Sequence, residues 1–267
     1  MALRLDIRYV PIRIALATGA AAVFRDVLER STMVDLGSII GLALGLVASG
    51  DPELYAIILL SLRVSLTAVL IGCVIGLPLG ALLAVLRFPG RGAAVAVLNS
   101  FMGLPPVVVG LVVYLMLSRS GPLGVLGLLY TPAAMIVAQA ILVMPLIAAL
   151  ARQSIADLYG EYDELFRSLR LGPARQIATL LWDGRYSLTT AALAGFGRAI
   201  AEVGAVVIVG GNIEHVTRVM TTTIALETSK GDLPLALALG MILVAISIGV
   251  NAMVLSLNRT ARRLAHA

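Results

Sequence analysis

The feature that most limits how this chain can fold is a series of long apolar runs, interrupted once by a charged stretch. The runs cover residues 54–88, 93–117, 132–150, 188–209 and 233–257. An α-helix rises about 1.5 Å per residue, so about 20 apolar residues cross the hydrocarbon core of a bilayer. Only 13% of the residues are charged, against about 25% in soluble domains. The sequence therefore predicts an all-α polytopic membrane protein with about five core transmembrane helices.

Local signals predict where one helix begins and where another breaks. Before the first run, Asp51 is placed to cap the helix, Pro52 fits its first turn, and Glu53 suits its positive end. The second run contains Gly-Leu-Pro-Pro at residues 103–106, which predicts a break in the middle of that span. This is the one convincing break that the sequence shows, so the fourth run is expected to be continuous.

The placement of arginine predicts the orientation. Three regions carry ten of the twenty basic residues: the loop at 87–91, the charged stretch with its flanks, and the C-terminal tail at 258–267. Because Lys and Arg favour cytoplasmic loops, we expect these regions and the C-terminus to be cytoplasmic. The loop from Gly211 to Asp232 should then lie outside.

The first fifty residues fit this arrangement least well. Residues 1–32 carry five arginines and no clear signal peptide, so we expect an upstream extension or a poorly ordered segment. Residues 36–48 are expected to form an interfacial helix, within an N-terminal part at 1–50. A sixth span is the main alternative. The transmembrane domain itself is placed at 51–260.

The charged stretch at 161–187 reads EYDELFRSLRLGPARQIATLLWDGRYS and lies in a predicted cytoplasmic loop at 151–186. Gly172 is placed for a left-handed helix end, and Pro173 for the start of a second helix. Apolar side chains line one face of each helix: Leu165, Phe166 and Leu169 on the first, and Ile177, Leu180 and Leu181 on the second. Two amphipathic helices joined in this way suit docking against a partner protein, and the alternative is a solvated loop.

This stretch resembles the EAA loop of ABC-transporter permeases, the cytoplasmic element that sits in a cleft of the ATP-hydrolysing subunit. In that family a Glu is followed by two small residues and, six positions after the Glu, by a Gly. Glu164 matches the Glu, while the sixth position is Arg170 and the Gly is displaced to Gly172. The resemblance implies these ATPase-coupling residues: Glu161, Asp163, Glu164, Leu165, Phe166, Leu169, Arg170, Leu171 and Gly172.

Three further segments are similar to permeases of the molybdate and tungstate group. LPPVVVGLVVYLMLSRSGPLG (104–124) resembles their second-span region, and FGRAIAEVGAVVIVGGNI (196–213) resembles their fourth span. TRVMTTTIALETSKGD (217–232) resembles tungstate-uptake permeases in particular. The resemblance implies a type I ABC importer permease fold with a cytoplasmic coupling-helix loop, in the cytoplasmic membrane of a prokaryote. It also implies the partners: a second copy in a homodimer, a cytoplasmic ABC ATPase, an extracytoplasmic tungstate-binding protein and the lipid bilayer.

The sequence lacks the motifs that would make such a protein self-sufficient. It contains no G-x-x-x-x-G-K-[ST] loop, so we expect ATP to be hydrolysed by a partner subunit and the chain to be no enzyme. His215 and His266 are the only histidines, so no metal site and no bound cofactor are expected, and the arginines do not predict a nucleic-acid patch. The resemblance implies inward transport of tungstate by alternating access. Alternatives are molybdate or sulfate as cargo, or an ATP-independent channel or secondary anion transporter, which predicts paired broken segments.

Candidate residues for the pathway or gate are polar groups and helix breakers within the spans. Arg198 and Glu202 are four apart, so they are expected to share one helix face and to pair, either along an anion path or as a structural lock. Further candidates are Pro105, Pro106, Gly204, Thr221, Thr222 and Thr223. The prolines could equally mark a packing kink, and the threonines an ordinary loop or helix end.

Overall fold

The computed structural model describes residues 36–265, and the side chains of residues 37–256. This part of the chain contains no β-strand and ten α-helices: α1 Leu36–Ala48, α2 Pro52–Val85, α3 Arg91–Phe101, α4 Pro106–Leu117, α5 Pro132–Ser168, α6 Pro173–Asp183, α7 Arg185–Ile200, α8 Gly204–Gly210, α9 Met220–Lys230 and α10 Leu233–Ala265. The prediction of an all-α polytopic protein is confirmed. The extension expected at 1–32 lies outside the described residues, and α10 continues into the tail expected at 258–267.

Three helices are long and apolar enough to cross a membrane: α2, α5 and α10. Two bent pairs raise the number of spans to as many as five, since α3 and α4 are bent by 97° and α7 and α8 by 59°. The expectation of about five spans agrees with this count. With 13 residues, α1 is about 20 Å long, and its interfacial position stays a prediction.

The local signals at the start of α2 act as expected. The Asp51 carboxylate accepts a hydrogen bond from the Glu53 N–H at 2.9 Å, and Pro52 is the first helical residue. Proline at this position loses no hydrogen bond, because the first N–H groups of a helix have no partner within it. The break at 103–106 is also confirmed, and α4 begins at Pro106.

The centre of the molecule is the crossing of α2 and α5, where glycines let the two backbones touch. A Cβ at Gly76 would lie 3.0 Å from the Met144 carbonyl oxygen, and one at Gly80 would lie 2.8 Å from the Arg152 amide nitrogen and closer still to the Ala148 carbonyl oxygen. Small residues at the interface of two membrane helices permit such close packing.

Two helix boundaries differ from the prediction. The third run was expected to end at Leu150 before a separate helix, but α5 is one helix of 37 residues up to Ser168. Residues 151–168 contain no proline and half of them are good helix formers, so the change in polarity does not end the helix. The fourth run was expected to be continuous, but its helix is broken after Ile200. In addition, the segment at 211–232, expected to be a loop, contains α9.

Candidate coupling surface and gate

The charged stretch forms an elbow between α5 and α6, closed by backbone hydrogen bonds. The Leu171 N–H donates to the Phe166 carbonyl at 3.0 Å, and the Arg170 N–H donates to the Arg167 carbonyl at 3.1 Å. This is the Schellman arrangement, in which the residue after the cap adopts the left-handed conformation. Arg170 holds that position with φ 50°. The expectation for Gly172 is wrong, because its φ is −71° and it is the N-cap of α6.

The backbone conformation of Arg170 bears on how the motif aligns. Arg170 is the sixth residue after Glu164, where the EAA loops that this stretch resembles have their glycine. A glycine adopts φ near +50° without the steric cost that a Cβ brings. At the sixth position after Glu164, Arg170 therefore has the backbone conformation that favours glycine, whereas Gly172 does not.

The elbow is held to the membrane-spanning part by an aromatic cluster. Phe166 is 2% exposed, and its ring centroid lies 5.5 Å from that of Tyr162 and 6.3 Å from that of Tyr159. The same cluster contains the fully buried Leu180 of α6 and residues at the end of α2. The negative charge of Asp183 in α6, and the hydrogen bond its carboxylate accepts from Tyr162, raise the pKa of that phenol. The elbow is therefore packed as one unit against the ends of α2 and α5.

The predicted coupling residues are distributed over the outside of this unit. Leu165 and Leu169, one turn apart, are 50% and 59% exposed and form an apolar pair on the surface. Phe166 points inward, so the expected stripe of three apolar residues does not form one face. The remaining coupling residues are exposed, apart from the half-buried Asp163 and Leu171: Glu161, Glu164, Arg170 and Gly172. Such a tip can be received by a cleft in another protein without unfolding.

The two broken spans meet inside the membrane-spanning part. A Cβ at Gly110 of α4 would lie 2.8 Å from the Ala205 Cα of α8. A Cβ at Gly204 would lie 3.1 Å from a Val107 side-chain carbon. The starts of α4 and α8 therefore cross in close contact, and the structure brings Pro105, Pro106 and Gly204 into one region, as the gate prediction requires.

Glu202 occupies the break between α7 and α8 and is 5% exposed. Its Oε1 accepts a hydrogen bond from the Ala205 N–H at 3.2 Å, and its Oε2 lies 3.8 Å from Arg198 Nη2. The expected pair is present, but α7 ends at Ile200, so Arg198 and Glu202 do not share a helix face. The carboxylate instead caps α8 while the half-exposed arginine stays on α7.

The three candidate threonines have different roles. The Thr221 hydroxyl donates to the Glu202 carbonyl at 3.0 Å, which ties the start of α9 to the break. The hydroxyls of Thr222 and Thr223 donate to the Val219 carbonyl at 3.0 and 2.8 Å. The structure thus joins Thr221 to the region of the break, whereas the hydroxyls of Thr222 and Thr223 bond only within the first turn of their own helix.

Sequence reasoning missed two buried polar residues that fix this region. The Gln139 side-chain amide of α5 donates to the Ala199 carbonyl at 3.0 Å, and the Ser61 hydroxyl of α2 accepts from the Met220 N–H at 2.8 Å. Gln139 is the only polar side chain in the run at 132–150, a signal that could have identified it. Through these bonds α5 holds the end of α7 beside the break, and α2 holds the start of α9, whose Thr221 bonds to the break.

Known proteins resemble this chain over most of its length. No protein-family model matches it. The tungstate uptake system permease protein TupB of Peptoclostridium acidaminophilum is 44% identical over 215 residues, which are 80% of this chain and 94% of the relative. A probable anion ABC transporter permease protein of Haloferax volcanii is 42% identical over 207 residues, 75% and 88% of the two chains. The molybdenum transport system permease protein ModB of Azotobacter vinelandii is 32% identical over 183 residues, 65% and 80% of the two chains.

Proposed function

Because the chain belongs to the permease subunits of ABC transporters of the tungstate and molybdate group, we propose that it carries tungstate into the cell as one half of a homodimer. The relative named for tungstate shares 44% of its residues with this chain, whereas the one named for molybdenum shares 32%. This difference favours tungstate. The chain is a permease without a nucleotide-binding site of its own, and a separate cytoplasmic subunit hydrolyses the ATP.

One observation carries the coupling part of the proposal: a single helix joins the elbow to the gate. α5 contains both Gln139, which holds the end of α7 beside the break, and Phe166, which anchors the elbow. The two residues are 27 positions apart, which corresponds to about 40 Å of helix with Pro145 inside it. At Gly76 and Gly80 of α2 the two helices touch backbone to backbone, so a displacement of the elbow is passed to α2 there with little absorbed by side chains.

The mechanism that follows is alternating access. Closure of the ATPase subunits on bound ATP displaces the tips that carry Glu164, Leu165 and Leu169, and α2 and α5 move with them. The contact between the starts of α4 and α8 then changes, and the cavity opens to the outside. An extracytoplasmic binding protein delivers the anion there. In this topology the elbow and the C-terminus are cytoplasmic.

The paired breaks are also what the rival hypothesis of a self-sufficient transporter requires. Sequence analysis identified one broken span, and the described residues contain two. The breaks alone therefore do not separate the two classes. Family membership and the exposed elbow favour the ATP-driven permease, because a secondary transporter has no use for a docking tip.

The deciding experiment is ATP hydrolysis by the permease and its ATPase partner, reconstituted in lipid vesicles. The extracytoplasmic binding protein is added after loading with tungstate, molybdate or sulfate. Stimulation by the tungstate-loaded form alone supports the proposed cargo. Equal stimulation by all three loaded forms would support an ABC permease but would contradict the proposal that it is selective for tungstate. Anion flux without ATP would overturn the coupling mechanism.

A further inference from the structure

A groove of about 380 Å³ opens on the outer surface of the membrane-spanning part, between α2 and the start of α7. Val74 and Pro78 of α2 form one wall, and Leu188 and Ala192 of α7 form the other. Val74 is 67% exposed, and no other segment of residues 37–256 covers this wall. The groove is therefore open along its apolar length within the described part of the chain.

One end of the groove carries a fixed positive charge. Arg185 is the first residue of α7, where the bent span Arg185–Gly210 begins, so its side chain lies at the membrane boundary. Its guanidinium carbon lies 4.9 Å from the Trp182 ring centroid and 4.6 Å from that of Tyr186. Its Nη1 also donates to the Trp182 carbonyl at 2.7 Å. Within the described ranges, no carboxylate forms an ion pair with Arg185.

We propose that this groove binds an anionic phospholipid, with the phosphate on Arg185 and an acyl chain along the wall of α2 and α7. Arginine presents several N–H donors in a plane, a geometry that suits phosphate oxygens. Tryptophan and tyrosine favour the headgroup level, and basic pockets between membrane helices bind acidic headgroups. The charge and the apolar trough thus match the two ends of one lipid molecule.

A protein helix fits this groove less well than a lipid does. An apolar helix would cover Arg185 without neutralising it, and a buried charge without a partner is costly. A phospholipid neutralises the guanidinium and fills the trough together. Since Leu181 of α6 also lines the groove, the bound lipid would connect the elbow to both membrane helices.

The test uses Trp182, which is the only tryptophan of the chain and lies at the mouth of the groove. The full chain is reconstituted in phosphatidylcholine vesicles that contain either brominated phosphatidylglycerol or brominated phosphatidylcholine, whose bromine atoms quench nearby tryptophan. We expect phosphatidylglycerol to bind about fivefold more tightly than phosphatidylcholine. One basic residue contributes about 1 kcal/mol to the binding of an anionic lipid, and about 1.4 kcal/mol corresponds to a tenfold change in affinity. High salt should reduce this preference.

Two variants locate the effect. Arg185→Gln should abolish the preference, whereas Arg175→Gln removes the same charge from the exposed start of α6 and should keep it. If Arg185→Gln does not fold, Arg185→Lys and the salt titration of the unaltered chain test the same charge. Equal quenching by both lipids, or a preference that survives in Arg185→Gln, overturns the proposal. Absence of quenching by either lipid would also overturn it and would mean that protein, such as a second copy, covers the groove.

Discussion

Arg170 holds a backbone conformation that an L-residue other than glycine adopts only at a cost. Its φ of 50° is required because the elbow closes with hydrogen bonds from residues 170 and 171 back to residues 167 and 166. The left-handed region costs roughly 1 kcal/mol or more for a residue with a Cβ. The side chain at this position is exposed, so it gains little packing in return.

Arg170→Gly should therefore stabilise the protein by about 1 kcal/mol. The measurement is thermal unfolding of the purified chain in detergent, with a rise in Tm expected. Arg175→Gly is the matched control, because it replaces an exposed arginine in the first turn of α6, where no left-handed conformation is relieved, and it should not raise the Tm. A lower Tm for Arg170→Gly would show that the guanidinium makes a contact worth more than the strain.

At the scale of elements, the crossing of α2 and α5 determines how rigidly the elbow is attached. Gly80→Ala would place a methyl group against the Ala148 carbonyl oxygen and 2.8 Å from the Arg152 amide nitrogen, and neither backbone atom can rotate away. Forced overpacking of this kind costs about 1–3 kcal/mol. The variant should unfold at a lower temperature and lose ATPase stimulation by loaded binding protein.

The control for this substitution is Gly197→Ala on α7. No atom lies within 4 Å of a Cβ built at Gly197, so the methyl group meets open space. Replacing a mid-helix glycine by alanine should stabilise by about 0.5–1 kcal/mol. If Gly80→Ala and Gly197→Ala lost the same stability, the loss at Gly80 could not be assigned to the backbone contact at the crossing. That result would contradict the role given to the crossing.

The elements that sequence reasoning predicted are those set by neighbouring residues. Asp51 caps α2 from two residues away, and the prolines at 105 and 106 break the second span by their own covalent structure. The break at 201–203 contains no proline. It is stabilised by the Thr221 hydroxyl, 19 residues later, and by the approach of Gly204 to Val107 in another span. Such contacts arise only in the folded molecule.

The elbow shows the same limit within the candidate site. Gly172 was the natural choice for a left-handed position, yet that position depends on where α5 ends. α5 ends after Ser168 with Phe166 buried against Tyr159, Tyr162 and Leu180, which come together only when α6 folds back. The composition of the tip was predictable, and eight of its nine proposed residues are at least partly exposed. The direction of Phe166 was not.

At the scale of the whole molecule, one continuous helix, α5, which contains Pro145, connects the elbow with the region of the break. The tip residues belong to α5 or to the turn that follows it, and α5 also carries the amide that holds α7. A substitution at the tip should then change coupling without changing the fold. The exposed carboxylate of Glu164 is the position where this separation can be tested.

Glu164→Arg should change the unfolding free energy of the isolated permease by no more than about 0.5 kcal/mol, because the residue is exposed. Its Tm should therefore stay nearly unchanged. A reversed charge in the cleft of the ATPase should cost several kcal/mol of docking free energy, since like charges brought together at an interface repel. Two measurements are needed: co-purification with the ATPase, and tungstate uptake per ATP hydrolysed. Asp157→Arg makes the same reversal at an exposed position two turns earlier on α5 and should retain both. Uptake that remains coupled in Glu164→Arg would remove the elbow as the docking site, whereas a loss in both variants would point to the total charge of the cytoplasmic face.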